Sequence, residues 1–202
     1  MLTEANDPYA LRFPVIALVT SAGGLDALSR VLAPLPADLP AALLVAQHLE
    51  PARHSELAAI LDQRTGLAVR AARNNDELRT GTVLVAPPAR HLLVTSEARI
   101  GLIDSDSLPP ARPSADLLLA TLAVTCGPRA LAVVLTGRGT DAQSGIRAIA
   151  HCGGRILAQD EASSAHFGMP SAAIDTTLVH DVLPLSAIAE AIQLHVSEHG
   201  GA

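Results

Sequence analysis

Apolar residues fall into short blocks separated by polar or glycine-bearing turns, and two kinds of block alternate along the chain. "PVIALVT" (14–20), "AALLVAQH" (41–48) and "ALAVVLTG" (130–137) are continuous runs of Val, Leu, Ile and Ala. Apolar residues at successive positions over this length predict strands buried on both faces. "LDALSRVLAPL" (25–35), "SELAAILDQRTG" (55–66), "DAQSGIRAIAHCGG" (141–154) and "LSAIAEAIQLHVSEH" (185–199) carry their apolar residues at helical spacing instead. The second of these is expected to close at Gly66. "SADLLLATLAVTCG" (114–127) opens with a Ser cap and a nearby Asp and is predicted to run as a helix to Gly127. "LAVRAAR" (67–73), "RILAQD" (155–160) and "VHDVLP" (179–184) supply further strands. The middle, "GTVLVAPPARHLLVTSEARIGLI" (81–103), reads as short strands joined by turns and containing an antiparallel pair. Residues 105–113 read as a loop and 1–13 as a polar tail, which leaves one domain over 14–202.

Strands alternating with helices of this length imply an α/β fold, a mostly parallel sheet with helices on both faces and a small antiparallel excursion. In such sheets ligands bind beyond the carboxyl ends of the strands. Those ends are therefore where chemistry is sought.

Composition narrows the choice. With 49% apolar and 17% charged residues over 202 positions, one large core is available. One Tyr, two Phe and no Trp leave no platform for base stacking. All fourteen basic residues are Arg, they form no run, and the net charge is −6, so nucleic acid is not an expected partner. The chain opens with no charged-then-apolar leader and has no apolar run of membrane-spanning length. A cytoplasmic protein without membrane insertion is expected. Cys126 and Cys152 lack metal-ligand or disulfide-framework spacing and read as small core residues.

Among the eight histidines, His48 and His54 are separated by Pro51, and His195 and His199 lie at helical spacing without the Glu of H-E-x-x-H. The second pair reads as a solvated end of the last helix, and no metal site is expected. "SAGG" (21–24) precedes a helix, where an anion is welcome. It nevertheless matches neither G-x-G-x-x-G nor the P-loop, and the chain has no Lys, so no nucleotide cofactor is expected.

Three chemically capable residues stand at strand ends. Ser21 follows the first buried strand, His48 ends the second, and Asp141 lies just past "ALAVVLTG". Each has a structural alternative: Ser21 as a helix cap, His48 as a polar residue before a turn, Asp141 as a helix cap. Their joint placement favours a shared site. A serine hydroxyl is too weak an acid to attack alone; an imidazole takes its proton, and a carboxylate fixes the imidazole tautomer and stabilises its charged form. The order Ser, His, Asp differs from the familiar hydrolase orders, and Val19 occupies the position of the first Gly of G-x-S-x-G.

The stretches "TSAGGLDAL", "VAQHLEP", "VLVAPPARHLLV", "RPSADLLLATLA", "VVLTGRGTDAQSGIRAI" and "GGRILAQDEASSAHFGMPSAAI" give the chain a resemblance to the protein-glutamate methylesterase (CheB-type) catalytic domain. It extends from about Val15 to Ile192. The resemblance implies a three-layer α/β/α fold and hydrolysis of glutamate methyl esters on the cytoplasmic domain of chemoreceptors, with glutamine deamidation in some members. It implies Ser21 as nucleophile, His48 as base and Asp141 as the orienting carboxylate. The backbone N–H groups of Ala22 and Arg138 are the expected oxyanion donors, with no metal or cofactor. The usual member carries a receiver domain, for which residues 1–13 are too short, so the expectation is a stand-alone esterase, a piece of a longer protein, or a domain whose regulatory partner is a separate response regulator. The chain departs from the family pattern at Val19, Thr20 and Ala22, at Arg138 where Met is usual, and at Ala142 where Gly often follows the Asp. The Arg138 guanidinium reads either as a surface charge without a role or as a group that attracts acidic substrate segments. Alternatives are a related esterase or amidase with another substrate, and a non-catalytic signalling module.

Overall fold

The computed structural model describes residues 11–48, 55–104 and 111–200. The expected tail over 1–10, most of the loop at 105–113, and Pro51 and His54 lie outside the described residues. The elements are β1 (Val15–Thr20), α1 (Gly24–Leu32), β2 (Ala42–Gln47), α2 (Leu57–Asp62), β3 (Ala68–Ala71), β4 (Thr82–Val85), β5 (Arg90–Val94), β6 (Ile100–Asp104), α3 (Ala115–Cys126), β7 (Ala130–Val134), α4 (Gln143–His151), β8 (Arg155–Gln159), α5 (Gly168–Ile174), β9 (Asp181–Leu183) and α6 (Ile188–His199).

Seven strands form one sheet in the order β3-β4-β2-β1-β7-β8-β9, and every neighbouring pair is parallel. The predicted antiparallel pair is β5 with β6, a separate two-stranded sheet. The central runs are apolar throughout because both faces are covered. Along β1, Val15, Ala17 and Val19 pack with α3 and α4, whereas Ile16 and Leu18 pack with α1 and α6. The period of two therefore sorts the strand residues between two cores, giving the three-layer α/β/α arrangement.

Three details differ from the sequence reading. Helix α2 stops at Asp62, short of Gly66; the Asp62 carboxylate accepts the Val69 N–H at 2.9 Å, and the chain turns there toward β3. Helix α5 was not foreseen: it is short, and Pro170 within "GMPSAAI" reads as a breaker although the first turn tolerates proline. The last helix is not solvated at His195, which is fully buried on the inner face of α6 with Ile192 and Val196. Cys126 and Cys152 are both free, and burial pushes the Cys126 thiol up to about 12. Among the described residues no helix is long and apolar enough to cross a membrane.

Candidate functional site

The chain builds outward from β1 through β2 on one side and returns through β7 on the other, so the sheet's topological switch lies between β1 and β7. A crevice opens there at the carboxyl ends of the strands. Ser21 leaves β1 and His48 leaves β2 at the same level: the His48 N–H donates to the Thr20 carbonyl at 3.0 Å, and the Ser21 N–H to the Thr136 carbonyl at 3.1 Å. Val19 and Ala46 face α3 and α4. Two residues on, the strand period carries Ser21 and His48 toward that same face.

The turn after Ser21 explains the glycine pair. Gly23 sits at φ 83° as the cap of α1, with no side-chain cap bond, so Ser21 is not spent as a cap. A Cβ on Gly24 would fall 2.6 Å from Thr20 Cγ2, and one on Gly137 would fall 2.9 Å from Ser21 Cβ. Side chains at either position would displace the turn that carries the hydroxyl.

His48 Nε2 donates to Asp141 Oδ2 at 2.8 Å, and both side chains are largely buried, at 16% and 12% exposure. The same carboxylate accepts the backbone N–H of Ala115 at 2.6 Å and of Asp116 at 3.1 Å. Asp141 therefore caps the amino terminus of α3 rather than that of the helix that follows it. Burial pushes the Asp141 pKa up, but the His48 hydrogen bond and the two N–H donors outweigh it and hold the group below the usual carboxylate range. An ionised Asp141 requires the proton on Nε2, which leaves Nδ1 as the basic nitrogen. Among the described residues Ser21 Oγ has no hydrogen-bond partner, so the expected Ser–His–Asp chain is closed at its His–Asp link and open at its Ser–His link. Asp116 returns the capping: its Oδ1 accepts the Gly145 N–H of α4 at 2.8 Å. Burial first, then the nearby Asp141 charge, raise the Asp116 pKa against the pull of its backbone donors.

A cleft of about 410 Å³ opens over this pair, lined by His48, Asp116, Arg138, Asp141 and Gln143 among others. The Arg138 side chain is exposed on its rim and makes no ion pair among the described residues. The N–H groups of Ala22 and Arg138 have no hydrogen-bond partner among the described residues, whereas that of Ser21 is taken. A larger groove, about 560 Å³ between β9 and α6, has no histidine in its lining. Among the described residues no three His, Cys, Asp or Glu side chains gather as metal ligands. His195 and His199 stack on each other at 4.3 Å, and His199 Nδ1 lies 3.0 Å from the His195 carbonyl.

Sequence reasoning missed the contributions of four residues. Ser114 caps α3 as predicted, but its Oγ also lies 3.4 Å from Asp141 Oδ1. Asp116 was read only as a first-turn charge. Thr136 and Gln159 form a buried polar pair at the ends of β7 and β8, the Thr136 N–H donating to Gln159 Oε1 at 2.8 Å. A polar residue closing each of two otherwise apolar runs was the available signal.

The profile described as CheB methylesterase matches residues 16–192. Protein-glutamate methylesterase FrzG of Myxococcus xanthus is 40% identical over 189 residues, covering 94% of this chain and 56% of its own length. A protein-glutamate methylesterase/protein-glutamine glutaminase of Moorella thermoacetica is 42% identical over 190 residues, covering 92% of this chain and 45% of its own length. The chain spans about half the length of the curated relatives it matches. The crystal structure of the Thermotoga maritima CheB methylesterase catalytic domain is similar with a TM-score of 0.87 at 30% identity, covering 91% of this chain and 99% of that chain.

Proposed function

The chain belongs to the CheB methylesterase family, and from that premise we propose that it hydrolyses glutamate methyl esters on the cytoplasmic domain of chemoreceptors, releasing methanol. Several relatives are named protein-glutamine glutaminase as well as protein-glutamate methylesterase, and glutamine deamidation is the companion reaction of this proposal. The observation that carries the reading is the 2.8 Å His48–Asp141 pair beside Ser21, its carboxylate held ionised at the amino terminus of α3.

The chemistry follows from these groups. His48 Nδ1 accepts the Ser21 proton as Oγ adds to the ester carbonyl. The negative charge that develops on the carbonyl oxygen is met by the N–H groups of Ala22 and Arg138, donors without a partner among the described residues. Collapse of the tetrahedral intermediate expels the methoxy oxygen, which takes the proton back from His48 and leaves as methanol. Water, activated by the same imidazole, then cleaves the glutamyl–Ser21 ester and restores the serine. Asp141 stays ionised throughout, fixing the tautomer and offsetting the imidazolium charge. The Arg138 side chain binds carboxylates flanking the modified glutamate.

Methanol release from methylated receptor membranes tests the proposal. The chain should release methanol and Ser21→Ala should not. Release that is equal with both, or absent with both, contradicts it.

A further inference from the structure

Every polar atom of Thr136 is engaged, and its partners belong to the segments that build the nucleophile turn. Its carbonyl accepts Thr20 Oγ1 at 2.6 Å and the Ser21 N–H at 3.1 Å. Its N–H donates to Gln159, which in turn donates through Nε2 to the Ser163 carbonyl at 2.8 Å. Its hydroxyl accepts the His166 N–H at 2.9 Å and faces two carbonyls, Ala22 at 3.1 Å and His166 at 3.2 Å. One hydroxyl proton serves one of them. The His166 carbonyl already receives the Gly137 N–H at 2.8 Å, while among the described residues the Ala22 carbonyl has no other donor. The proton therefore belongs to Ala22. Thr136 and Gln159 are 2% and 0% exposed, so water does not substitute for these bonds.

The two oxyanion donors lie on either side of this residue. Ala22 is the residue whose carbonyl the hydroxyl fixes, and Arg138 follows Thr136 by two positions across Gly137, whose N–H and carbonyl are themselves bonded to His166 and Met169. We propose that the Thr136 hydroxyl is the positioning group of the oxyanion site: it ties Ala22 to the 160s loop and so holds the N–H groups of Ala22 and Arg138 in register with Ser21. The assignment rests on the esterase reading above.

Thr136→Val keeps the shape and removes the hydroxyl; Thr136→Ser keeps the hydroxyl and removes the methyl. Each is made in the full chain and assayed for hydrolysis of p-nitrophenyl acetate and for inhibition by an alkylboronic acid that adds to the serine as a tetrahedral adduct. Loss of one oxyanion donor lowers kcat by about 10²–10³, so misplacing the donors should lower kcat at least ~10-fold with KM within ~2-fold. The boronate Ki should rise by the same factor as kcat falls, and Thr136→Ser should remain within ~3-fold of the parent on both readouts. A folded valine variant with parental kcat and Ki overturns the assignment, as does an equal loss in the serine variant. If the valine variant does not fold, Thr136→Cys, whose thiol is too weak a hydrogen-bonding group to hold the Ala22 carbonyl, carries the same test. A parent chain that neither hydrolyses the ester nor binds the boronate overturns the esterase reading as well, and that outcome is distinct from a defect confined to the variants.

Discussion

Asp141→Asn is the perturbation whose consequences the structure defines most fully. The carboxylate uses both oxygens: Oδ2 accepts from His48 Nε2 and the Ala115 N–H, and Oδ1 accepts from the N–H groups of Asp116 and Ala142. An amide has one oxygen, so its NH₂ group must face at least one of these backbone donors whichever way it sits. Each stranded donor costs about 1–3 kcal/mol. The lost negative charge at the amino terminus of α3 costs about 0.3–1 kcal/mol more. The variant should be less stable by roughly 1–4 kcal/mol in denaturant titration at neutral pH. With NH₂ toward His48, Nε2 becomes an acceptor and the proton moves to Nδ1, which can no longer take the Ser21 proton. By analogy with the same change in other Ser–His–Asp enzymes, kcat for p-nitrophenyl acetate should fall by about 10⁴. The stability deficit should also depend on pH. The folded pKa of Asp141 lies below its unfolded value, so its contribution is present above about pH 4 and is lost as pH falls through the folded value. The gap between the parent chain and the variant should narrow in that acid window. A variant within ~10-fold of parental kcat, or one whose stability deficit is flat into acid, would refute the reasoning.

Burial, His199 and the nearby Arg155 depress the fully buried His195 to about 4, while the unfolded residue titrates near 6.5. Only the unfolded chain binds that proton between those values, so stability should fall as pH drops from about 6.5 to about 4, by up to about 3 kcal/mol. His195→Leu should remove this part of the slope in denaturant titrations, and an unchanged slope would contradict it. Ala142 holds φ 105°, a conformation costing a non-glycine residue about 1–2 kcal/mol. Ala142→Gly relieves that strain against about 0.4–1 kcal/mol of added unfolded-state entropy, so Tm should rise modestly; a lower Tm would contradict it. Arg138→Met should raise KM for acidic ester peptides by up to ~5-fold and flatten its salt dependence, since an exposed charge contact is worth about 0.2–1 kcal/mol. Identical KM values at low salt would remove the side chain from substrate binding.

The parts of the fold and site legible in the sequence were those governed by local pattern. The runs at 14–20, 41–48 and 130–137 are apolar at both parities, which marks buried parallel strands and brings Ser21, His48 and Asp141 to one edge of the sheet. What stayed hidden depends on contacts distant in sequence. Asp141 reads naturally as a cap for the helix that follows it; that it caps α3 instead, while Asp116 caps α4, is a property of how the two helices pack. The His48 ring could not be oriented from sequence, because the choice of Nε2 for Asp141 follows from the relative placement of β2 and the 135–141 loop. The burial of His195 was missed because a helix-end histidine is indistinguishable by composition from one on an inner face. Thr136 bonds across 116 positions to Thr20 and across 30 to His166, separations that no local window spans.

The central claim is that Ser21 is a nucleophile activated by His48. Reaction of the folded chain with a fluorophosphonate, followed by intact-mass and peptide mapping, tests it most directly. The account predicts one phosphonyl group per chain, located on Ser21, with the labelling rate falling strongly in His48→Ala. A chain that stays unlabelled, or that carries the label elsewhere with Ser21 untouched, would contradict the account and favour a non-catalytic binding module built on the same fold.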